Sequence, residues 1–308
     1  MEQQIGMVGL GRMGGNMARR IARAGLGVVA WDAAAGARAG IGGEGRVQAV
    51  ESLAALVAAL PRPRAVWLML PAGAPTEGTV AQLRELLARD DVIVDGANAF
   101  YRDSLRRAEA LAPLGIHLVD AGVSGGGWGL VNGYGLMVGG TAAAVSRVEP
   151  FLRALAPDPE RGWLHCGPTG AGHFTKMVHN GIEYGLMQAY AEGFALLRAK
   201  EELQLDVAQI AESWRHGTVI RSWLLDLVAG FLAEDAKLES IAPLVADSGE
   251  GRWTAIESVE LGVPTPVMTL ALMQRFASQG RGEYADRLLA RMRQSFGGHA
   301  VTRRNSGG

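Results

Sequence analysis

Short apolar runs alternate with amphipathic stretches through the first half of the chain. The apolar runs predict buried strands at residues 5–10, 27–31, 65–70, 92–95, 117–120 and 134–138, with a further strand at 163–166. The amphipathic stretches predict helices at 12–24, 53–60, 77–88, 102–111 and 142–155. Continuous apolar strands that alternate with helices are typical of a doubly wound α/β fold, whose sheet is buried on both faces.

The pattern changes after Gly162. Residues 171 to about 200 contain no proline and almost no turn residues, which predicts one helix far longer than the usual 11–12 residues. Further helical patterns follow at 207–215, 222–233, 253–261, 269–277 and 284–293. No strand alternation interrupts them, so the second domain is predicted to be all-α. The predicted domains are residues 1–166 and 167–308.

Composition and charge exclude several classes of protein. Hydrophobic residues make up 48% of the 308, too many for a disordered chain, and 30 basic residues against 31 acidic ones provide no field to hold nucleic acid. The longest apolar run, 65–74, is too short to span a membrane. A single cysteine, Cys166, indicates a reducing compartment and excludes a cysteine zinc cluster. With no targeting segment at the N-terminus, we expect a cytoplasmic protein that holds no metal.

A glycine-rich turn follows the first predicted strand and opens the first helix. Its residues are Gly9, Leu10, Gly11, Arg12, Met13 and Gly14. Such a turn lets the backbone approach a pyrophosphate, whose charge is stabilised at the helix N-terminus. Asp32 ends the second strand 18 residues after Gly14, where a carboxylate accepts hydrogen bonds from a ribose 2′-hydroxyl. We therefore predict a Rossmann-type dinucleotide-binding domain.

The same carboxylate predicts which dinucleotide is bound. Asp32 would repel the 2′-phosphate of NADP, and three alanines follow it where an arginine would be needed to bind that phosphate. NAD is therefore the expected cofactor. Arg38 is the nearest basic residue and keeps NADP open as the alternative.

Polar residues recur at helical spacing near the start of the long helix. Lys176, Asn180 and Glu183 lie at i, i+4 and i+7, so they share one face over two turns, with His179 beside them. Their neighbours are largely apolar, and charged side chains in such surroundings are typical of a functional site. A neutral lysine and a carboxylic acid on one face could take up and return protons.

These segments resemble the 6-phosphogluconate dehydrogenases of the β-hydroxyacid dehydrogenase superfamily. The resemblance spans essentially the whole chain. It rests on the motifs at 9–20, 95–107, 123–126, 170–184, 251–257 and 293–299. The length is similar to that of the short form, which has one copy of a helical unit that longer members duplicate.

The resemblance implies a role for each matching residue. Lys176 matches the base that takes the proton of the 3-hydroxyl, and Glu183 matches the acid that protonates C1 of the enediol. The implied substrate-binding residues are Asn98, Ser124, Gly125, Gly126, His179, Asn180, Tyr184, Arg275, Arg293 and His299. The implied cofactor-binding residues are the turn 9–14 with Asp32, Leu70, Pro71, Ala72 and Asn98.

The end of the chain and two departures from the family pattern bear on assembly and phosphate recognition. Arg293 and His299 resemble a tail that completes the neighbouring subunit's site, so a homodimer or tetramer is expected. Residues 71–73 and 248–252 lack lysines that long members carry. Arg252 is a candidate replacement for the phosphate-contacting lysine.

The expected reaction is the oxidative decarboxylation of 6-phosphogluconate to ribulose 5-phosphate and CO2, with reduction of NAD. One alternative is a β-hydroxyacid dehydrogenase that oxidises a non-phosphorylated acid without decarboxylation. Glu183, Tyr184 and Arg275 argue against it, because such an enzyme needs neither a second acid nor a phosphate pocket. Another alternative is a catalytically silent nucleotide sensor, against which the Lys176 and Glu183 pair argues.

Overall fold

The computed structural model describes residues 3–297 and 300–303, with the side chains of 296 and 297 left aside. It divides into two units, Met1–His179 and Asn180–Gly308. The division falls within one long helix, whereas the sequence places the domain boundary between 166 and 167. That boundary stays a prediction.

The first unit is built on an eight-stranded sheet. The strands are β1 (Gln4–Val8), β2 (Gly27–Trp31), β3 (Val47–Ala49), β4 (Ala65–Leu68), β5 (Val92–Asp95), β6 (His117–Ser124), β7 (Gly135–Gly139) and β8 (Trp163–Gly167). Their order is β3-β2-β1-β4-β5-β6-β7-β8. All neighbours are parallel except β6 and β7, which are antiparallel. The order reverses at β1, as in a doubly wound sheet that binds ligands at its carboxyl edge.

Helices cover both faces of this sheet. They are α1 (Arg12–Arg23), α2 (Ala35–Ile41), α3 (Leu53–Ala59), α4 (Ala74–Leu86), α5 (Tyr101–Leu111), α6 (Gly129–Asn132) and α7 (Ala142–Leu155). Successive strand residues alternate between two cores. On β1, for example, Met7 packs in the core with α1 and α7, whereas Val8 packs in the core with α3 and α4.

The helical unit begins within the long helix α8 (Ala171–Ala199), whose first residues belong to the first unit. The remaining helices are α9 (Val207–Trp214), α10 (Trp223–Glu234), α11 (Glu250–Glu260), α12 (Pro266–Ser278) and α13 (Glu283–Gly297). None of the residues described between 180 and 303 forms a strand. The predicted fold class is confirmed: a Rossmann-type sheet precedes an all-α part with one long helix. Across the described chain, no helix is long and apolar enough to cross a membrane.

Three elements escaped prediction, namely β3, α2 and the one-turn helix α6, and one orientation differs from a uniform βαβ pattern. Strand β3 has only three residues, none of them fully buried, so it carries no apolar run. Helix α2 buries only Ile41 and carries no helical stripe. Strand β7 runs antiparallel to β6 because the ten residues between them are too few for the crossover that a parallel pair requires.

Tyr134 lies fully buried just before β7, and its hydroxyl has no hydrogen-bond partner within the described chain. Burial raises the pKa of Tyr134 to about 12, against a smaller opposing effect of the Arg20 charge. The folded protein therefore holds the phenolic proton to a higher pH than the unfolded chain, whose phenol ionises near pH 10. The resulting contribution to stability is complete below pH 10 and is lost as the pH rises to about 12.

We predict that Tyr134→Phe leaves the protein as stable as the wild type at neutral pH, or more stable by about 1 kcal/mol, because it removes an unpaired buried hydroxyl. Its advantage in free energy of unfolding should grow by about 2 kcal/mol at strongly alkaline pH. Urea unfolding of both proteins at several pH values measures this. Tyr284→Phe is the control, because that side chain is 76% exposed. An advantage that stays constant with pH would contradict the prediction.

Candidate active site

The glycine turn between β1 and α1 requires glycine at two of its positions. Gly9 has φ +89°, and a Cβ there would lie 2.4 Å from the carbonyl oxygen of Met69. A Cβ on Gly14 would lie 1.9 Å from the carbonyl oxygen of Gly9. Around Gly11, by contrast, no other described residue comes within 4 Å of a Cβ position. The backbone at Gly11, where α1 begins, is therefore open to a ligand.

Asp32 ties this turn to the end of β2. Its Oδ2 atom accepts a hydrogen bond from the Leu10 backbone N–H at 2.7 Å, and its Oδ1 atom accepts one from Ala34 at 2.8 Å. Each carboxylate oxygen keeps a lone pair that could accept a ribose hydroxyl. An open glycine, a helix N-terminus and an anchored carboxylate fit a nicotinamide dinucleotide.

The predicted cofactor residues that follow β4 and β5 lie at the same carboxyl edge of the sheet as the glycine turn. The backbone N–H of Met69 donates to Val8 on β1, and that of Gly96 donates to Leu68 on β4. These bonds bring the segments 9–14, 69–72 and 96–98 to adjacent strand ends. Asn98 is exposed there, as are Pro71 and Ala72, and Leu70 is half-buried.

An ion-pair network that includes buried Asp95 and Arg107 lies next to the segment that carries Asn98. Asp95, fully buried, accepts hydrogen bonds from Arg107 and from the backbone of Ala97. Arg107 also contacts Glu77, with Nη2 at 3.0 Å from Oε1. Burial alone would raise the pKa of Glu77, but hydrogen bonds and charge from Arg107 and Arg106 outweigh it and lower that pKa. The network joins α4 and α5 to the end of β5.

The serine and glycine segment predicted to hold substrate begins where β6 ends. Ser124 is the last residue of β6, and Gly125 and Gly126 have φ +133° and +52°, which favour glycine. The chain that follows is held by Arg20 of α1. Its guanidinium donates to carbonyls of residues 130 and 131 and of residues 154–156.

Asp120 attaches helix α8 to the sheet. It is fully buried on β6, and its two carboxylate oxygens accept hydrogen bonds from the backbone N–H groups of Gly170, at 2.6 Å, and His173, at 2.7 Å. It thereby satisfies N–H groups that the first turn of a helix leaves unpaired. His173 is itself held by Ser104, with Nδ1 and Oγ 2.7 Å apart. This role of Asp120 is not predicted from the sequence, although a carboxylate at the end of an apolar strand was the available signal.

Glycines let α8 approach the sheet closely. A Cβ on Gly122 would lie 2.2 Å from the Cβ of Lys176, and a Cβ on Gly172 would lie 2.4 Å from the Asp120 carbonyl oxygen. Gly139 on β7 faces Gly172, so that a Cβ there would lie 2.7 Å from the Gly172 nitrogen. The Lys176 stem therefore packs against Gly122 of β6, which lies two residues before Ser124.

The predicted polar stripe lies on one continuous helix. Lys176 is 5% exposed, and its Nζ atom is 3.3 Å from Nδ1 of His179. Asn180 is 9% exposed, and Glu183 is half-buried two turns after Lys176. A buried amine and a carboxyl group on one face form an arrangement able to move two protons.

The helical unit gathers a second group of polar side chains around Tyr184. The Arg275 guanidinium carbon lies 3.5 Å from the centroid of the Tyr184 ring, as in a cation–π contact. The Tyr184 hydroxyl is 3.1 Å from Oγ of Ser248. Arg252, four residues later, is paired with Asp247 at 2.6 Å. Two guanidinium groups and two hydroxyls on neighbouring elements suit a phosphate ester.

The two residues of the predicted tail have different outcomes. Arg293 lies on α13 with an exposed side chain. His299 falls outside the described residues. Within the described ranges, no three His, Cys, Asp or Glu side chains are grouped to hold a metal ion.

Comparison with known protein families covers both parts of the chain. The NAD binding domain of 6-phosphogluconate dehydrogenase matches residues 4–167, and the 6-phosphogluconate dehydrogenase C-terminal domain matches residues 172–306. The chain belongs to the 6-phosphogluconate dehydrogenase family. It is therefore an oxidoreductase with an NAD(P)-binding domain. The resemblance read from the motifs is confirmed, while the roles of individual residues stay predictions.

Two members of the family and one further solved structure illustrate what this chain is similar to. An NAD(+)-dependent, decarboxylating 6-phosphogluconate dehydrogenase of Haloferax volcanii is 42% identical over 98% of this chain and 99% of its own. A Plasmodium falciparum 6-phosphogluconate dehydrogenase, solved apo, with its cofactor NADP+ and with its substrate, matches 99% of this chain and 67% of its own, with TM-score 0.83 and 26% identity. A Mycobacterium tuberculosis 3-hydroxyisobutyrate dehydrogenase shares the fold at 22% identity, with TM-score 0.72 over 92% of this chain and 94% of its own.

We predict that Asp120→Asn lowers the free energy of unfolding by about 2–3 kcal/mol, because an amide cannot accept from both buried N–H groups with the strength of a carboxylate. Asp206→Asn is the matched control. Asp206 caps α9 through two backbone N–H groups at 3.0 Å, but it is exposed, so the loss should stay below about 1 kcal/mol. Urea unfolding measures both, and equal losses would contradict a special role for Asp120.

Proposed function

We propose that the protein catalyses the oxidative decarboxylation of 6-phosphogluconate to ribulose 5-phosphate and CO2, with reduction of NAD. The observation that carries the proposal is the face of α8 on which buried Lys176 and Asn180 alternate with half-buried His179 and Glu183. A hydroxy-acid oxidation needs one base. A base followed on the same face by an acid suits oxidation and then protonation of the decarboxylated product.

Lys176 is the proposed base. In its neutral form, its amine takes the proton of the substrate's 3-hydroxyl as the C3–H bond breaks. NAD, when held at the glycine turn, would supply the acceptor for the hydride that leaves C3. Packing of the Lys176 stem against Gly122, together with the His179 contact, restricts the amine to one region of the helix face. Asn180 and Ser124 are proposed to bind substrate hydroxyl and carboxyl groups.

Glu183 is the proposed acid of the second step. The C3 ketone draws the electron pair of the carboxyl C–C bond toward itself, so that bond breaks, CO2 leaves and an enediol remains. Protonation of the carbon that lost CO2 then gives ribulose 5-phosphate. Glu183 lies half-buried on the same helix, two turns after Lys176, so its carboxyl group shares the face that carries the proposed base.

The cluster around Tyr184 is the proposed phosphate site. Arg275 and Arg252 supply planar forks of donors, and the hydroxyls of Tyr184 and Ser248 supply further ones. Asp247 accepts hydrogen bonds from two nitrogens of the Arg252 guanidinium. Arg252 takes the place of the lysine that long members carry, and this fits the phosphorylated substrate of the proposed reaction.

NAD is the proposed cofactor because Asp32 directly follows β2. Its carboxylate lies where a 2′-phosphate would bring further negative charge, and the Haloferax volcanii relative is NAD(+)-dependent. The Plasmodium falciparum enzyme binds NADP+, so the family as a whole does not decide the cofactor. The single cysteine supports the cytoplasm as the place of action.

We also propose a homodimer or tetramer. Large apolar side chains of the helical unit are exposed, among them Trp223 at 48%, Phe231 at 44% and Val267 at 67%. Apolar patches of this kind are typical of protein–protein interfaces. The segment with Arg293 and His299 is proposed to complete the site of a second copy.

The proposed reaction predicts one CO2 for each NAD reduced. Purified protein is mixed with 6-phosphogluconate and NAD, reduced nicotinamide is followed by absorbance, and released CO2 is followed in parallel. Equal amounts would support the full reaction. Reduction of NAD by a non-phosphorylated hydroxy acid, without CO2, would instead support a non-decarboxylating β-hydroxyacid dehydrogenase.

Lys176→Met is predicted to lower kcat by roughly 10²–10⁴-fold, because the step then lacks its base. NAD binding, measured by calorimetry, should persist, since the glycine turn is untouched. Lys200→Met is the control: Lys200 follows the end of the same helix with a side chain 57% exposed, so its loss should leave kcat unchanged. Retained turnover in Lys176→Met would refute the assignment of the base.

A further inference from the structure

A second carboxylate lies beside the proposed nucleotide site. We infer that Glu51 is a specificity-determining residue, which disfavours NADP by engaging the guanidinium of Arg38, a group placed to receive the 2′-phosphate. The inference rests on the proposed binding of a nicotinamide dinucleotide at the glycine turn. It adds to the role of Asp32 and assigns a function to a residue outside the family motifs.

Arg38 is held from two sides. Its Nη1 atom donates to the carbonyl oxygens of Asp32, at 2.9 Å, and Ala33, at 3.3 Å, and its Nη2 atom donates to Oε2 of Glu51 at 2.6 Å. The Arg38 side chain is only 15% exposed, whereas that of Glu51 is 84% exposed. The guanidinium therefore contacts the very residue whose carboxylate is proposed to bind the ribose, and Glu51 covers it from the solvent side.

Sheet topology explains why these residues meet. Strands β2 and β3 are parallel neighbours with Ala30 opposite Ala49, and the Val50 N–H donates to the Ala30 carbonyl oxygen. Glu51 and Asp32 thus follow adjacent strands at the carboxyl edge, where such sheets bind ligands. Arg38 lies in the last turn of the short helix α2, which follows β2.

The charges of this group oppose NADP. An arginine near the end of β2 is the usual receptor for a 2′-phosphate, because its planar donors match the phosphate oxygens. Here the Arg38 guanidinium already donates to the Glu51 carboxylate and to the backbone carbonyl oxygen of Asp32. A 2′-phosphate would have to displace Glu51 from Arg38 or remain beside its charge. NAD has a hydroxyl at that position, so Glu51 costs its binding little.

The test measures binding rather than turnover. Dissociation constants of NAD and NADP are determined by calorimetry at low ionic strength for the full chain and for Glu51→Gln, which keeps the size of the side chain. We expect Glu51→Gln to bind NADP roughly tenfold more tightly while its affinity for NAD is unchanged. The gain should shrink as salt is added, since exposed charges are screened.

Two further variants isolate the cause. In the Arg38→Met background, Glu51→Gln should lose most of its effect on NADP, because the guanidinium that it releases is gone. Glu44→Gln is the matched control: Glu44 also pairs with arginines, Arg19 at 3.2 Å and Arg23 at 3.4 Å, but it precedes β3 and so lies at the opposite edge. It should change neither affinity.

The outcomes separate this inference from the proposed function. Normal NAD binding with an unchanged affinity of Glu51→Gln for NADP would overturn the role of Glu51. An equal gain in the Arg38→Met background would overturn the mechanism through Arg38. If the wild-type chain bound neither dinucleotide, the proposed cofactor site itself would fall, and the inference with it.

Discussion

The chemistry proposed for this protein depends on how one buried carboxylate holds a helix against a sheet. Asp120 accepts the N–H groups of Gly170 and His173, so it pairs orphan donors at the start of α8 and places negative charge at the positive end of the helix dipole. Gly122 and Gly172 allow the backbones to touch. Because Lys176 is only one turn farther along, any change at this junction would move the proposed base.

The proposed nucleotide site of the first unit and the proposed phosphate site of the helical unit, each taken by itself, carry opposite charges. The proposed nucleotide site carries two carboxylates, Asp32 and Glu51, and Arg38 donates to the Glu51 carboxylate and to the Asp32 backbone carbonyl oxygen. The helical unit presents guanidinium groups, Arg275 and Arg252, near Tyr184. A cofactor without a 2′-phosphate and a substrate with a phosphate ester match this arrangement. The carboxylates disfavour the 2′-phosphate of NADP, and the guanidinium groups favour the phosphate ester of the proposed substrate. Both effects follow from the charge that surrounds each phosphate.

Most of the fold could be predicted, because apolar strands and helical periodicity are local properties of the sequence. Strand β3 could not be predicted, because two of its three residues are exposed and one is half-buried. Its extended form depends on pairing with β2. The candidate site divides in the same way. The α8 stripe follows from spacing along one helix, whereas Asp120 meets Gly170 across 50 residues and Glu51 meets Arg38 across neighbouring strands. Such contacts depend on topology, which residue spacing does not reveal.

The continuity of α8 limits how this segment can change in length. Each residue turns an α-helix by about 100°, so one residue inserted or deleted between Lys176 and Glu183 would rotate the proposed acid away from the face of the base. Substitutions keep that phase, but insertions and deletions destroy it. Length variation among proteins with this active-site helix should therefore accumulate in the loops beyond Ala199, and the interval of seven residues should stay constant.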